Sequence, residues 1–299
     1  MTEERHAQPT SAIVLKLSGK ALEAHDALEA FFQGLARFAA SESAPKIVLV
    51  HGGGVEVDAL MKELGRKVER VDGLRVSPAE DMPVIAGALA GACSLALRGA
   101  AQRAGLMPLG LAATDAGIGR VVPVDPRLGR VATVEPGGAE AKAKLMGLLE
   151  AGFTPVISSI GVDAQGQLWN INADHAAVAA AALLEAPLVF LSDVPGVLDG
   201  EKRLIEELDR KEAERLINAG VISGGMTVKV RAAFEAAEKT GSPAAAASIF
   251  DAGLADALAR GKLPGTTFLV GGPKRIQGAE SRTAPPSAPN RMEGSGRLL

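Results

Sequence analysis

Two lysines occupy positions where local structure should disfavour a cation, and one aspartate stands where it could serve both. Lys16 interrupts the apolar run AIVLKL just ahead of Ser18 and Gly19, and a lysine in such a strand is costly to bury without an anion to meet it. Lys229 lies in GGMTVKVRAAFEAAEKTG, in the early turns of an expected helix that begins after Gly224 and Gly225. The helix N-terminus carries positive partial charge, so a cation there makes sense when both face one phosphate. Asp174 follows Asn170 and Asn172 in NINAD, immediately before an alanine-rich helix, and a single carboxylate can orient two ammonium groups. Each residue also has an ordinary use. A lysine stem packs while its head reaches water, a helix carries solvent-facing lysines, and an acid at an N-cap or first turn contributes roughly 1 kcal/mol.

Backbone donors complete the pattern. In KIVLVHGGGVEVDALMKELG, Val48, Leu49 and Val50 read as a buried strand and Val55 to Leu64 as a helix, which makes Gly52, Gly53 and Gly54 the turn between them. Glycine at that place lets main-chain N–H groups come close to a ligand. GLRVSP offers Arg75, a residue type suited to bidentate carboxylate recognition or to a plain surface role. LSDVPGVLDG supplies Ser192, Asp193 and Gly196 at a strand end. Neither the G-x-x-x-x-G-K-[ST] loop nor the G-x-G-x-x-G fingerprint occurs.

The elements that must position these groups alternate. Ile13 to Leu17, Ile47 to Val50, Thr154 to Ile160 and Leu188 to Leu191 read as strands, with amphipathic helices such as Ala21 to Ala40 and Pro83 to Ala104 between them. This alternation predicts an α/β fold with a mainly parallel sheet covered on both faces. Ligands of such sheets collect at the carboxyl ends of strands, where KLSGK, HGGG and LSDVPGVLDG all fall. Between Leu106 and Gly138, VVPVDPRLGRVATVEPGG reads as short antiparallel strands over one edge of the site. Residues 1–12 and 273–299 lack periodicity and are read as disordered.

Composition narrows the class of partner. The chain of 299 residues is 47% hydrophobic, enough for a large core, and 32 basic against 35 acidic residues leave no field to attract nucleic acid or a membrane surface. One cysteine, Cys93, excludes an internal disulfide, and four scattered histidines show no ligand spacing. The acidic, polar start does not read as a signal peptide, and the most apolar run, Ala176 to Leu184, is shorter than the ~18–20 residues that span a bilayer. A cytoplasmic protein acting on a small molecule is expected.

Taken together and in order, KLSG, HGGG, GLRVSP, SSIGV, NINADHAA, LSDVPGVLDG and GGMTVKV, running from about Ile13 to Val270, resemble the acetylglutamate kinases of the amino acid kinase family. The resemblance implies a three-layer α/β/α sandwich. Residues 13–185 would form a lobe that binds N-acetyl-L-glutamate and mediates dimerisation, and residues 186–272 a lobe that binds ATP. It implies that Lys16 and Lys229 stabilise the transition state while Asp174 positions them, and that Gly52, Gly53, Arg75 and Asn170 bind the acceptor. Asp193, Val194, Pro195, Gly196, Val197, Leu198, Val221, Ile222 and Ser223 would contact the nucleotide, with Ser18 and Gly19 near its phosphates. No protein metal site is implied, and Mg²⁺ would travel with ATP. Ser18 departs from a usual glycine, Cys93 and Ser94 from a usual Asn–Lys pair, and Thr114 to Gly117 from a usual Asp–Gly. The residues before Ile13 look too short for the extra helix of arginine-inhibited hexamers, so the expectation is a homodimer without arginine feedback. The alternatives are a kinase of another carboxylate, such as an aminoadipate derivative or glutamate, and a non-catalytic amino-acid-sensing protein. The latter should have lost one of Lys16, Asp174 or Lys229.

Overall fold

Consecutive residues of the first strand, β1 (Ala12–Leu17), enter different cores. Ala12 and Val14 pack on one side of the sheet, Ile13, Leu15 and Leu17 on the other, as the two-residue period of a strand requires. Lys16 shares the face of Ala12 and Val14. The computed structural model describes residues 11–19, 24–71 and 73–270. The two segments read as disordered lie outside the described residues except for Ser11 and Ala12, and Ala12 opens β1.

The chain continues through α1 (His25–Ala39), β2 (Lys46–His51), α2 (Gly54–Glu63), β3 (Arg70–Val71) and β4 (Leu74–Arg75). A long helix, α3 (Ala79–Arg103), follows; its middle, Gly87–Cys93, is wound as a π-helix. Next come β5 (Pro108–Ala112), β6 (Gly119–Pro123), β7 (Val131–Pro136), α4 (Ala139–Glu150), β8 (Thr154–Ser158), β9 (Ile160–Val162) and β10 (Leu168–Ile171). The last part holds α5 (Ala173–Leu184), β11 (Leu188–Ser192), β12 (Glu207–Asp209), α6 (Arg210–Asn218), α7 (Gly225–Thr240), β13 (Ala244–Ser248), α8 (Leu254–Ala259) and β14 (Thr266–Leu269).

Eight strands make one sheet in the order β12-β14-β13-β11-β1-β2-β8-β5. From β13 to β5 all neighbours are parallel, and β14 turns antiparallel to β13. Apolar residues of α4, α5, α6 and α7 cover one face, those of α1, α8 and the second half of α3 the other. The α/β/α sandwich expected from the sequence is therefore the observed fold. Strands from both expected lobes meet where β11 pairs with β1.

A second sheet, β6-β7-β10-β9, includes the antiparallel β6–β7 pair expected over one edge, and β7 packs on α5. Leu106 to Gly138 is not all of this kind, since β5 is the edge strand of the main sheet. The single strand read over Thr154 to Ile160 is divided: β8 ends at Ser158 in the main sheet, and Ile160 starts β9 in the second. Ala176 to Leu184 lies in α5, and a longer apolar helix is α3. By length and composition α3 could cross a membrane, but 44% of its apolar window is buried in the fold, against α1, α2 and β5.

Candidate active site

Because β1, β2, β8 and β11 are parallel, their carboxyl ends lie along one edge, and the loops leaving them converge there. Lys16 is in register with Val50 of β2 and Phe190 of β11. Its place on the Ala12–Val14 face directs it to the layer of α5, where its Nζ stands 2.8 Å from Oδ1 of Asp174. The Lys16 side chain is 15% exposed and that of Asp174 39%, so the pair opens to solvent on the carboxylate's side. Asn172, not Asp174, caps α5: its Oδ1 accepts from the Asp174 N–H at 2.8 Å. Asp174 thus sits in the first turn, where the helix dipole favours a carboxylate.

The glycine turn touches three neighbours. A side chain at Gly52 would lie 3.3 Å from the Ala173 Cβ at the start of α5, and one at Gly19 would lie 3.6 Å from the Gly54 nitrogen. At Gly53 a Cβ would fall 2.6 Å from the Cys93 Sγ and 2.9 Å from a Leu89 methyl of α3, so only glycine fits without displacing α3. The glycines therefore serve close packing as well as any approach by a ligand. Cys93 is buried there, and burial, with the charge of Glu56, pushes its thiol up to about 12. It is a packing residue and no nucleophile. Ser18, in the turn after β1, has its hydroxyl oxygen buried without a hydrogen-bond partner among the described residues.

Arg75 is neither a surface arginine nor open. It is 6% exposed; its Nη1 donates to the Asp58 carboxylate of α2, and its Nη2 donates to the Gly54 carbonyl at 2.9 Å. Asp58 also receives Arg70 at 2.6 Å. Burial raises the Asp58 carboxyl, but the hydrogen bonds and charges of Arg75 and Arg70 outweigh it and hold the group below the usual carboxylate range. Asn170 is joined to Arg75 by a relay: its Nδ2 donates to the Ser77 hydroxyl at 3.0 Å, and Ser77 donates to the Arg75 carbonyl at 3.1 Å. Sequence reasoning passed over Asp58 and Ser77. The signal available for Asp58 was the need of a buried arginine for an acid.

On the other side of the edge, Gly224 at φ +55 leads into α7, and Lys229 is exposed in its early turns. α7 packs on α5, the helix of Asp174. Among the residues expected to contact nucleotide, Asp193, Pro195, Val221 and Ser223 are exposed, and Val194 and Leu198 are half-buried. Val197 and Ile222 turn their side chains into the core, which leaves their main chain as the part that a ligand could touch. Gly196, at φ +143, is held against Thr266, whose hydroxyl accepts from the Val197 N–H at 2.8 Å. Among the described residues no cluster of three or more His, Cys, Asp or Glu could hold a metal ion.

A model of the amino acid kinase family matches residues 11–247. Acetylglutamate kinase of Vibrio cholerae serotype O1 is 47% identical over 233 residues, 78% of this chain and 87% of that one. Acetylglutamate kinase of Aeromonas hydrophila is 47% identical over 236 residues, 79% and 90% of the two chains. The structure of N-acetylglutamate synthase from Neisseria gonorrhoeae superposes with a TM-score of 0.73 at 20% identity, over 88% of this chain and 60% of that one, a likeness of fold. With the family model spanning nearly every element described above, the chain belongs to the amino acid kinase family.

Proposed function

We propose that the protein transfers the γ-phosphoryl group of ATP to the side-chain carboxylate of N-acetyl-L-glutamate, giving N-acetyl-L-glutamyl 5-phosphate for arginine biosynthesis. The observation that carries this reading is the Lys16–Asp174 pair, 2.8 Å apart at the strand ends beside the glycine turn, in a chain 47% identical to acetylglutamate kinases.

The chemistry asks little of a base. A carboxylate acceptor with a reference pKa near ~4.3 is ionised at neutral pH, so the site must instead align two oxygens and neutralise charge on the migrating group. In this reading Lys16 on β1 and Lys229 on α7 supply positive charge from either half of the sheet, and Asp174 fixes the Lys16 ammonium. Asn170 and Arg75, linked through Ser77, belong to the acceptor side with Gly52 and Gly53. The segments 193–198 and 221–223 belong to the nucleotide side. The Ser18 hydroxyl, without a hydrogen-bond partner among the described residues, and the N-termini of α2 and α7, whose N-cap glycines bring no capping side chain, suit phosphate oxygens. Mg²⁺ carried on ATP would supply further charge neutralisation when bound. The division into an acceptor lobe of 13–185 and a nucleotide lobe of 186–272, a homodimer and a cytoplasmic location complete the proposal.

Trapping with hydroxylamine tests it. With ATP, Mg²⁺ and N-acetylglutamate, a hydroxamate should accumulate, and none should form when glutamate or an aminoadipate derivative replaces the acetylated acceptor. Absence of any hydroxamate with N-acetylglutamate overturns the proposal.

A further inference from the structure

We propose that His51 is a positioning residue of the site: its ring donates from Nδ1 to the Gly52 carbonyl and so sets the direction of the Gly53 N–H. This deepens the reading that the glycine turn meets the acceptor, and rests on it.

His51 ends β2 in register with Leu17 and Ser158, and it is fully buried. Its strand parity, two residues after Leu49 and four after Ile47, puts the ring on the α3 side of the sheet. There Nδ1 lies 2.8 Å from the Gly52 oxygen, while Nε2 has no partner among the described residues. A carbonyl can only accept, so Nδ1 carries the proton and Nε2 is left as a bare lone pair. Burial, aided by the charge of Arg98 and opposed by the Gly52 bond, lowers the ring pKa to about 4 and keeps this neutral tautomer at working pH.

The same peptide unit that offers the Gly52 oxygen to His51 carries the Gly53 N–H, and in a planar trans peptide the two point in opposite directions. The ring on the α3 side therefore turns that N–H toward the α5 side, where Lys16 and Asp174 stand. No acceptor among the described residues takes it. An apolar residue would fill the position at less cost than an imidazole with an unpaired nitrogen, and the preceding residues on that face, Ile47 and Leu49, are apolar. The histidine does something that packing alone does not require.

Three variants separate the roles. His51→Asn keeps a donor near the place of Nδ1, His51→Gln moves it to the place of Nε2, and His51→Leu removes it. We expect His51→Asn to keep kcat within about threefold of wild type. His51→Gln and His51→Leu should lose about tenfold or more in kcat, with the KM for ATP unchanged, in the manner of a mis-set oxyanion donor. Wild-type kcat in His51→Leu, or equal losses in His51→Asn and His51→Leu, overturns the inference. If His51→Leu does not fold, the Asn and Gln variants decide it, and equal kcat in those two overturns it. A wild-type protein that forms no acyl phosphate refutes the proposed function. An active wild type whose variants fail this pattern refutes only the role of His51.

Discussion

Acidification should weaken the fold through His51 in a pH window set by its burial. The ring titrates near 6.5 in an unfolded chain and near 4 in the folded one, because burial disfavours the imidazolium. Above pH 6.5 neither state holds the proton and stability is level. As pH falls from 6.5 to 4 the unfolded state takes up a proton that the folded state refuses, so stability declines across that window and flattens below it. The two values differ by 2.5, and at about 1.4 kcal/mol for each tenfold change in proton affinity the total loss is about 3–4 kcal/mol. Carboxylates such as Asp58 titrate lower still, so the His51 contribution is read as a difference. Urea denaturation of wild type and His51→Asn should be followed from pH 8 to pH 4.5. Wild type should lose about 2–3 kcal/mol more than the variant between pH 6.5 and pH 4.5. Parallel curves for the two proteins would refute the reasoning, since they would mean that the ring is protonated as easily inside as out.

Other consequences can be checked with single variants. Lys16→Ala and Lys229→Ala should each lower kcat about 10²–10³-fold in the hydroxamate assay while the KM for the acceptor moves little. Gly53→Ala should cost about 1–3 kcal/mol in thermal or urea melts, because its Cβ would lie 2.6 Å from the Cys93 Sγ. Adding Cys93→Ala should recover part of that loss, and a double-mutant cycle measures how much. Asp58→Asn leaves the buried Arg75 without its charge partner; it should cost about 2–3 kcal/mol by urea titration and raise the KM for the acceptor.

Much of the architecture is legible because strand parity is local. The alternation in AIVLKL places Lys16 on one known face, and the glycines after KIVLVH mark the strand-to-helix turn. What escaped was decided at longer range. Ala244 to Ser248, not among the strands read from the sequence, is a strand enclosed between β11 and β14, a setting its run of alanines does not disclose. The break at Ser159 arises because Ile160 pairs with β10 in another sheet, which the run TPVISSI does not disclose. Residue type pointed to an association of Lys16 with Asp174, and the structure puts them in contact. For Arg75 it suggested a ligand carboxylate or solvent, whereas the carboxylate in contact is Asp58, on a different element. The relay from Asn170 to Ser77 joins residues 93 positions apart and left no mark in either local motif.

The widened winding of α3 acts as a phase shifter. Before and within it, Met82, Ile85, Ala88 and Leu89 face the cluster built on Val57 and Met61 of α2. From Cys93 onward, Leu97, Ala100 and Ala101 face the sheet and α1 instead. A π-helical stretch accommodates an extra residue relative to regular winding, and each residue of an α-helix turns the chain by about 100°. Removing a single residue such as Ala90 would take out that extra residue and let the coil relax to ordinary pitch with the second half close to its present phase. A deletion in the regular coil just before Leu97 has no such slack: it would turn Leu97, Ala100 and Ala101 by about 100° away from the sheet and α1.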